Sequence, residues 1–321
     1  MRQVPDTIGR DGARVWTRPA ALKPGDLVGI AAPAGAVDVD LLARGVAELE
    51  SLGFRVRAGD SVAARHRFAA GTIERRVGEL HELLADDEVA GIVCARGGAG
   101  SGGLLRHLDV SLVAAHPKVF VGCSDVTFLH LWFRELGLVT FHGPMAAGDL
   151  ARGRYDRDSF LRAVTGEGGP FVTESDDMVV LRSGSARGRL VGGCLSILAS
   201  AAGTPWALRP GGDPSILFLE DLDEPPYRVD RMLLQLRESG GFDGVVGVVF
   251  GDMKGCAPPF SASFTLEDVI LDALDGLDVP IALGLSSGHA SSPAITLPLG
   301  VPARLSCGTE ARLEILEPAV S

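Results

Sequence analysis

The feature that most constrains the fold is a regular alternation between short apolar runs and longer segments with helical periodicity. Leu27–Ala32 and Gly91–Ala95 are continuous apolar runs of the kind found in buried strands. Between them, Asp38 and Thr72 each precede a segment whose apolar residues recur every three or four positions, which predicts two capped helices. Strands and helices that alternate in this way predict a doubly wound α/β fold with a mostly parallel sheet.

The pattern changes after residue 165, so two domains are expected. Residues 1–24 are predicted to form an N-terminal arm and residues 25–165 the first α/β domain. The glycine-rich, acidic stretch 166–185 has little periodicity and is predicted to be a linker. Residues 186–321 carry short strands interleaved with helical segments, which predicts a second, mixed α/β domain.

The composition argues against several classes of protein. With 41 acidic and 30 basic residues the net charge is −11, which disfavours a broad surface for nucleic acid or anionic membrane. No apolar run approaches the roughly 18 residues of a membrane span, and Met1–Arg18 lacks the apolar centre of a signal peptide. The five cysteines are widely spaced without a C-x-x-C pair, so structural zinc is not expected and a cytoplasmic location is predicted.

Ser124 stands where an apolar strand, Val119–Cys123, runs directly into a helix predicted over Asp125–Leu136. This is the context of a nucleophile elbow, in which a sharp turn exposes the serine hydroxyl above the sheet edge. The helix N-terminus would also offer free N–H groups to an oxyanion. Only the first glycine of G-x-S-x-G, Gly122, is present, and a helix-capping role for Ser124 or Asp125 remains the alternative.

A glycine-rich segment follows the strand Gly91–Ala95. Gly98, Gly100 and Gly103 match G-x-G-x-x-G, and Asp125 lies about 20 residues further on, a combination that permits a dinucleotide-binding loop. The same bare backbone could instead direct its N–H groups at a reacting carbonyl. A flexible turn is the third possibility, and the local sequence does not choose among the three.

A serine nucleophile needs a base, and the chain has seven histidines. His142 and His289 each follow an apolar strand and are the two candidates. His130 lies inside the buried helix and is expected in the core. The others are expected on the surface: His66, His81, His107 and His116.

A carboxylate must orient the histidine and stabilise its protonated form. Glu220 ends the apolar strand Ile216–Leu219, and α/β folds place functional groups at strand ends. Asp221, Asp223 and Glu224 follow it closely, and periodicity does not distinguish these acids.

Together, these segments resemble the serine LD-carboxypeptidases of peptidoglycan recycling and their relatives, the microcin-immunity peptidases. The resemblance covers about residues 22–317 and rests on many ordered motifs at compatible spacing. In the first half they are Leu22-Lys23-Pro24-Gly25-Asp26, Ala32-Pro33-Ala34-Gly35, Arg96-Gly97-Gly98, Gly122-Cys123-Ser124-Asp125 and Phe141-His142-Gly143-Pro144-Met145. In the second half they are Gly192-Gly193, Gly203-Thr204-Pro205, Phe218-Leu219-Glu220-Asp221, Tyr227-Arg228-Val229-Asp230-Arg231, Gly288-His289 and Leu297-Pro298-Leu299-Gly300.

The resemblance implies a Ser–Glu–His triad in that chain order, which falls on Ser124, Glu220 and His289. It implies an oxyanion hole formed by the backbone N–H groups of Gly98 and Asp125. It also implies two α/β domains, with the serine on the first, the acid and the histidine on the second, and the site in the cleft between them. The resemblance also implies a homodimer, and no metal or organic cofactor is expected.

Two positions near the implied site depart from the family pattern. Cys194 stands where the family usually has Asn, and Ala99 stands where it has Tyr or Phe. Both bear on substrate preference. The lead of 26 residues before the first strand is also longer than the family pattern suggests. The spacing of 96 residues between Ser124 and Glu220 favours the carboxypeptidase branch of the family over the microcin-immunity branch.

The expected function is therefore hydrolysis of the L,D-amide bond of a muropeptide tetrapeptide, with release of terminal D-alanine. The first alternative is a microcin-immunity-type hydrolase of aminoacyl-nucleotide amides. The second is a non-catalytic protein that binds a dinucleotide or another small molecule through the Gly98–Gly103 loop.

Overall fold

The computed structural model describes residues 14–173, 177–290 and 293–321. Residues 1–13 of the predicted arm and 174–176 of the predicted linker lie outside the described residues. The strands are β1 Leu27–Ala31, β2 Arg55–Ala58, β3 Val89–Cys94, β4 Val119–Gly122, β5 Thr140–His142, β6 Phe171–Thr173, β7 Val179–Arg182, β8 Gly184–Cys194, β9 Ser215–Leu222, β10 Val245–Lys254, β11 Ile281–Leu285, β12 Leu297–Leu299, β13 Pro302–Cys307 and β14 Ala311–Ile315. The α-helices are α1 Val39–Ser51, α2 Ile73–Ala85, α3 Val110–Ala115, α4 Thr127–Glu135, α5 Arg157–Thr165, α6 Leu195–Ala201, α7 Pro226–Glu238 and α8 Leu266–Ala273.

The chain divides into two compact units. The first contains the described residues up to Gly168, together with Pro293–Pro298 and Pro318–Ser321. Its sheet has the order β12-β5-β4-β3-β1-β2, and the pairs from β2 to β5 are all parallel. β1 and β4 are buried along their whole length, as strands covered on both faces must be. The predicted doubly wound, mostly parallel sheet is confirmed.

The helices of the first unit begin where the sequence predicts. The Asp38 side chain accepts hydrogen bonds from the N–H groups of Asp40 and Leu41, and Thr72 accepts one from Arg75 N–H. The helix predicted over Asp125–Leu136 differs at its start, because the chain first makes a tight 3-10 turn over Ser124–Val126 before α4. A further 3-10 turn is formed by Leu105–His107.

The second unit contains the described residues of Gly169–Ser292 and Leu299–Glu317. Its sheet has the order β6-β14-β13-β8-β9-β10-β11-β7, with parallel pairs from β8 to β11 and antiparallel pairs outside them. The predicted mixed α/β architecture is confirmed. The stretch predicted as a linker, 166–185, contributes the two outermost strands, β6 and β7. Edge strands are partly solvated, so they lack the apolar run that marks a central strand.

None of the helices within the described residues combines the length and the apolarity that crossing a membrane requires.

Candidate active site

Ser124 occupies a sharp turn at the end of β4. Its φ is +60°, in the left-handed region that residues other than glycine rarely adopt, and the residue is half-buried. Such strain is maintained only where the surrounding structure imposes it, and it occurs preferentially at functional sites. The order of strand, strained serine and helix is the local geometry that a nucleophile elbow requires.

The carbonyl of Gly122, two residues before Ser124, is fixed from two sides. It accepts a hydrogen bond from His130 Nε2 at 2.8 Å and another from Gly143 N–H at 3.1 Å. Since a carbonyl can only accept, His130 carries its proton on Nε2, and its Nδ1 lies 2.9 Å from the Thr140 hydroxyl. Burial lowers the pKa of His130 from 6.5 to about 3, so the ring is neutral. His130 is thus a satisfied core residue, as expected.

The Gly97–Gly98 backbone passes directly beside the serine. A Cβ built on Gly97 would lie 2.8 Å from Ser124 Cβ and 3.0 Å from Ser124 Oγ, so only glycine leaves the hydroxyl its space. Gly98 has a φ of +109°, and its neighbour across the loop is Gly35, whose N–H donates to the Gly97 carbonyl at 3.0 Å. No backbone acceptor in the described part of the chain takes the N–H of Gly98 or of Asp125. Both groups can therefore donate to a ligand.

The glycine-rich loop is tied to the serine turn by Ser101 and Asp125. The Asp125 carboxylate accepts from Ser101 N–H at 2.9 Å, and the Ser101 hydroxyl donates to the Asp125 carbonyl at 2.5 Å. Asp125 is 3% exposed and Ser101 is fully buried. These two bonds hold the Gly98 segment and the Asp125 N–H in one fixed arrangement.

Arg76, on α2, also holds the glycine-rich loop in place. Its guanidinium donates to the carbonyls of Pro33 at 2.6 Å and Gly100 at 2.9 Å. Burial lowers the pKa of Arg76, and the nearby Asp125 carboxylate opposes that shift. Sequence reasoning missed both Arg76 and Ser101. The available signal was the position of Arg76 on the apolar stripe of α2, three residues after Ile73 and four before Leu80.

The loop differs from a dinucleotide-binding turn in the structure of the next segment. After Gly100 the chain makes two short 3-10 turns, Ser101–Gly103 and Leu105–His107, rather than the long helix whose N-terminus holds a pyrophosphate. Within the described ranges, no three histidine, cysteine or acidic side chains come together in a group suited to a metal ion.

Glu220 and His289 meet in the second unit. Glu220 lies near the end of β9 and is fully buried, and its Oε2 accepts from His289 Nδ1 at 2.8 Å and from His289 N–H at 3.2 Å. A proton on Nδ1 leaves Nε2 as the basic nitrogen of the neutral ring. Gly288, with φ +94°, makes this approach possible, because a Cβ there would lie 2.4 Å from Glu220 Oε2.

Two of the neighbouring acids, Asp221 and Glu224, have other partners. Successive strand residues face opposite sides of a sheet, so Asp221 points away from Glu220. Its carboxylate accepts from Ser196 N–H at 2.7 Å and Leu222 N–H at 2.9 Å, and burial raises its pKa. Glu224 pairs with Arg228 at 3.3 Å. Among the four candidate acids, Glu220 is the one whose hydrogen bond to His289 the structure shows.

Cys194, one of the two departures from the family pattern, lies beside this pair. It is the strand partner of Glu220, and its Sγ lies 3.3 Å from Ser196 Oγ and 3.7 Å from Asp221 Oδ1. Burial, reinforced by Glu220 and Asp221, raises the pKa of the thiol well above its ordinary value. Cys194 is therefore a protonated, inert packing residue.

The other candidate base, His142, is a core residue. It is fully buried in the first unit, with its ring 6.3 Å from that of His130. His66 and His107 are exposed, while His81 accepts from Asp109 N–H at 3.0 Å and His116 pairs with Asp87 at 3.1 Å. His289, by contrast, pairs with the buried carboxylate of Glu220.

Comparison with protein families finds two matching models that together span most of the chain. The LD-carboxypeptidase N-terminal domain matches residues 28–143, and the LD-carboxypeptidase C-terminal domain matches residues 187–305.

Individual relatives agree. The chain is 37% identical to a probable murein peptide carboxypeptidase of Bacillus subtilis, over 95% of each protein. A solved muramoyltetrapeptide carboxypeptidase of Oxalobacter formigenes has a TM-score of 0.79 and 31% identity, covering 91% of this chain and 99% of that one. The microcin C7 self-immunity protein MccF of Escherichia coli is 29% identical over 88% of this chain and 91% of its own length. A structure of MccF with glutamyl sulfamoyl guanosine has a TM-score of 0.84 and 25% identity, covering 95% of this chain and 99% of that one.

Proposed function

Because the chain belongs to the LD-carboxypeptidase family and is a serine carboxypeptidase, we propose that it removes the terminal D-alanine from the L,D-linked tetrapeptide of muropeptides. The proposal assigns Ser124 as the nucleophile, His289 as the base and Glu220 as the acid that orients it. The observation that carries it is the 2.8 Å hydrogen bond between buried Glu220 and His289 Nδ1, which makes Nε2 the ring nitrogen that can accept a proton.

In the first half of the reaction, His289 Nε2 takes the hydroxyl proton of Ser124 while the oxygen attacks the L,D-amide carbonyl. The resulting oxyanion accepts hydrogen bonds from the N–H groups of Gly98 and Asp125, for which the described backbone has no competing acceptor. The protonated His289 then gives its proton to the amide nitrogen. The C–N bond breaks, D-alanine leaves, and the peptide remains as an ester on Ser124.

In the second half, water attacks the ester. His289 accepts a proton from the water, and the same two N–H groups stabilise the second oxyanion. Collapse returns the proton to Ser124 Oγ and releases the shortened peptide with a new carboxylate. The reaction as a whole consumes one water molecule for each D-alanine released.

The test is hydrolysis of a synthetic tetrapeptide ending in an L-to-D linkage, followed by mass spectrometry. We expect release of free D-alanine by the wild type and at least a roughly 10⁴-fold slower release by Ser124→Ala and by His289→Ala, as for other broken triads. The Ser124→Ala/His289→Ala double variant should be little worse than either single variant, since the residues act as a unit. Hydrolysis by Ser124→Ala at the wild-type rate would refute the assignment.

A second candidate function is hydrolysis of aminoacyl-nucleotide amides, supported by the likeness to MccF bound to glutamyl sulfamoyl guanosine. The same Ser–Glu–His chemistry would serve both reactions, and the two differ in the acyl and leaving groups. Parallel assays with the tetrapeptide and an aminoacyl sulfamoyl nucleoside decide between them by the ratio of kcat/KM values. We expect the ratio to favour the tetrapeptide.

The cytoplasmic location and the homodimer implied by the family resemblance also belong to this proposal. Fractionation of cells that express the tagged protein tests the first. Sedimentation velocity at micromolar concentration tests the second, with a single species of twice the 33.5 kDa chain mass expected.

A further inference from the structure

A carboxypeptidase must recognise the free carboxylate at the end of its substrate, and the proposed triad contains no group for this task. Ser124, Glu220 and His289 act on the amide, and the oxyanion hole donates to its carbonyl. A terminal carboxylate is best bound by a planar guanidinium, which offers it two parallel N–H donors. The group required is therefore an arginine near Ser124 that has donors to spare.

Two arginines lie close to the glycine pair beside the serine. Arg76 is 5% exposed, and its guanidinium is committed to the carbonyls of Pro33 and Gly100. Arg96 is exposed and directly precedes Gly97. Within the described part of the chain, its guanidinium makes one hydrogen bond, from Nη1 to the Ala36 carbonyl at 3.1 Å. This bond orients the guanidinium and leaves Nε and Nη2 for a ligand.

The guanidinium of Arg96 lies alongside the loop rather than away from it. Its Nη2 is 3.7 Å from a Cβ built on Gly98, and its Nε is 3.4 Å from one built on Gly35. A Cβ built on Gly97, between Arg96 and Gly98, is in turn 3.0 Å from Ser124 Oγ. Arg96 and Gly98 therefore flank Gly97, and Gly97 packs against Ser124. The guanidinium, the Gly98 N–H and the Ser124 hydroxyl thus lie along one short stretch of the loop.

This arrangement matches the dimensions of a C-terminal residue. In a peptide, the terminal carboxylate carbon is separated from the scissile carbonyl carbon by one amide nitrogen and one Cα, a distance of about 3–4 Å. A substrate whose carbonyl oxygen accepts from Gly98 N–H thus carries its carboxylate within a few ångströms of that loop. A peptide extended by one further residue would bring a neutral amide there instead.

We infer that Arg96 binds the terminal carboxylate of the peptide substrate and thereby restricts the enzyme to the last amide bond of a chain. The inference rests on the proposed function, since it names a specificity-determining residue for the same site. The role requires the paired N–H donors of a guanidinium as well as its charge. A lysine at position 96 would keep the positive charge but lose the paired donors.

The test measures binding separately from hydrolysis. The Ser124→Ala protein is titrated calorimetrically with the L,D-tetrapeptide and with the same peptide carrying a terminal carboxamide. We expect the carboxylate form to bind roughly 10- to 150-fold more tightly, the range for hydrogen bonds to a charged group. Adding Arg96→Gln should abolish this preference by weakening the carboxylate form alone, and Arg96→Lys should restore part of it. Arg106→Gln, at another exposed arginine of the same unit, is the control and should change nothing.

The outcomes separate the alternatives. An equal loss of both ligands in Arg96→Gln would mean that Arg96 only braces the Ala36 loop, and it would overturn the inference. Equal affinity of Ser124→Ala for the two peptides, or no binding of either, would overturn it too. An Arg96-dependent preference without D-alanine release by the wild type would support the carboxylate site while refuting the proposed hydrolysis.

Discussion

Ser101 donates two hydrogen bonds to Asp125, one from its backbone N–H and one from its side-chain hydroxyl. Ser101 N–H donates to the Asp125 carboxylate, and the Ser101 hydroxyl donates to the Asp125 carbonyl. Ser101 belongs to the glycine-rich loop, and Asp125 directly follows Ser124, the proposed nucleophile. The pair therefore couples the two proposed oxyanion donors, the N–H of Gly98 and the N–H of Asp125 itself.

This coupling predicts that Ser101→Ala impairs catalysis more than binding. Without the hydroxyl, the Asp125 carbonyl loses a buried partner, which should lower the free energy of unfolding by about 1–3 kcal/mol. Displaced oxyanion donors should reduce kcat by roughly 10- to 100-fold, while KM stays within a few-fold. Steady-state kinetics with the tetrapeptide and urea denaturation measure the two effects. Ser51→Ala, at an exposed serine of α1, is the control; a change in KM alone would contradict the positioning role.

Gly98 and Gly103 should respond very differently to substitution. A side chain at Gly98 must adopt a φ of +109° and would place its Cβ 3.2 Å from Gly35 Cα. At Gly103 the nearest atom to a new Cβ is Ile73 Cδ1, at an ordinary 3.5 Å. We expect Gly98→Val to reduce kcat by roughly 10²- to 10³-fold, the cost of one oxyanion donor, and Gly103→Ala to be nearly silent.

The same pair of variants tests the dinucleotide alternative. A dinucleotide-binding loop needs all its glycines, so both substitutions would then abolish binding. Calorimetry of the wild type with NAD(P) or FAD should show no heat of binding. Micromolar affinity, lost equally in both variants, would argue for a binding protein.

Glu220→Gln should separate orientation of the imidazole from substrate binding. The amide keeps the size of the carboxylate but lacks the charge that stabilises the protonated His289, so we expect kcat to fall by about 10³- to 10⁴-fold. Affinity for the carboxylate peptide, measured in the Ser124→Ala background, should be unchanged within about two-fold. Asp221→Asn provides the matched comparison, since Asp221 caps α6 instead of contacting His289. Greater loss in Asp221→Asn would show that the wrong acid has been assigned.

His130 should make the fold sensitive to acid. Its pKa is about 3 in the folded protein, against 6.5 for an exposed ring, so between these values the unfolded chain binds one more proton. Stability contributed by the neutral ring is therefore present above pH 6.5 and is lost as the pH falls towards 3, at up to about 1.4 kcal/mol per pH unit.

His130→Gln removes this titration. The variant should be less stable than the wild type at pH 8, since the hydrogen bond to the Gly122 carbonyl is disturbed, yet its stability should decline less steeply below pH 6.5. Urea denaturation at half-unit pH intervals measures both slopes. Parallel slopes would show that other groups account for the acid response.

The elements that the sequence predicts well are those whose stability is local or fully buried. Asp38 and Thr72 cap α1 and α2, and β1 is a continuous apolar run, so each can be located without knowing its neighbours. β7 could not be found in this way. It is a partly exposed strand that exists because β11 offers it hydrogen bonds, and its partner lies about 100 residues away in the chain.

The candidate site shows the same division. The strand–serine–helix context of Ser124 is visible in the sequence, and the structure adds the backbone strain. The choice of Glu220 over Asp221 is not visible in the sequence, because the two acids are adjacent in the chain. Their side chains face opposite sides of the strand, so that one contacts His289 and the other Ser196. Arg76 is likewise invisible without the fold, since the carbonyls it holds belong to Pro33 and Gly100.

The left-handed backbone of Ser124 has a consequence for protein engineering. The left-handed conformation costs a serine about 1–2 kcal/mol, whereas glycine adopts it without strain. Glycine in turn destabilises the folded state by roughly 0.5–1 kcal/mol, because its unfolded chain has greater entropy. Ser124→Gly should therefore leave thermal stability unchanged or slightly improved while removing the proposed nucleophile. A design or selection method that scores stability alone would therefore not retain serine at position 124. Engineering this protein for higher thermal stability requires either keeping position 124 fixed or screening the variants for turnover.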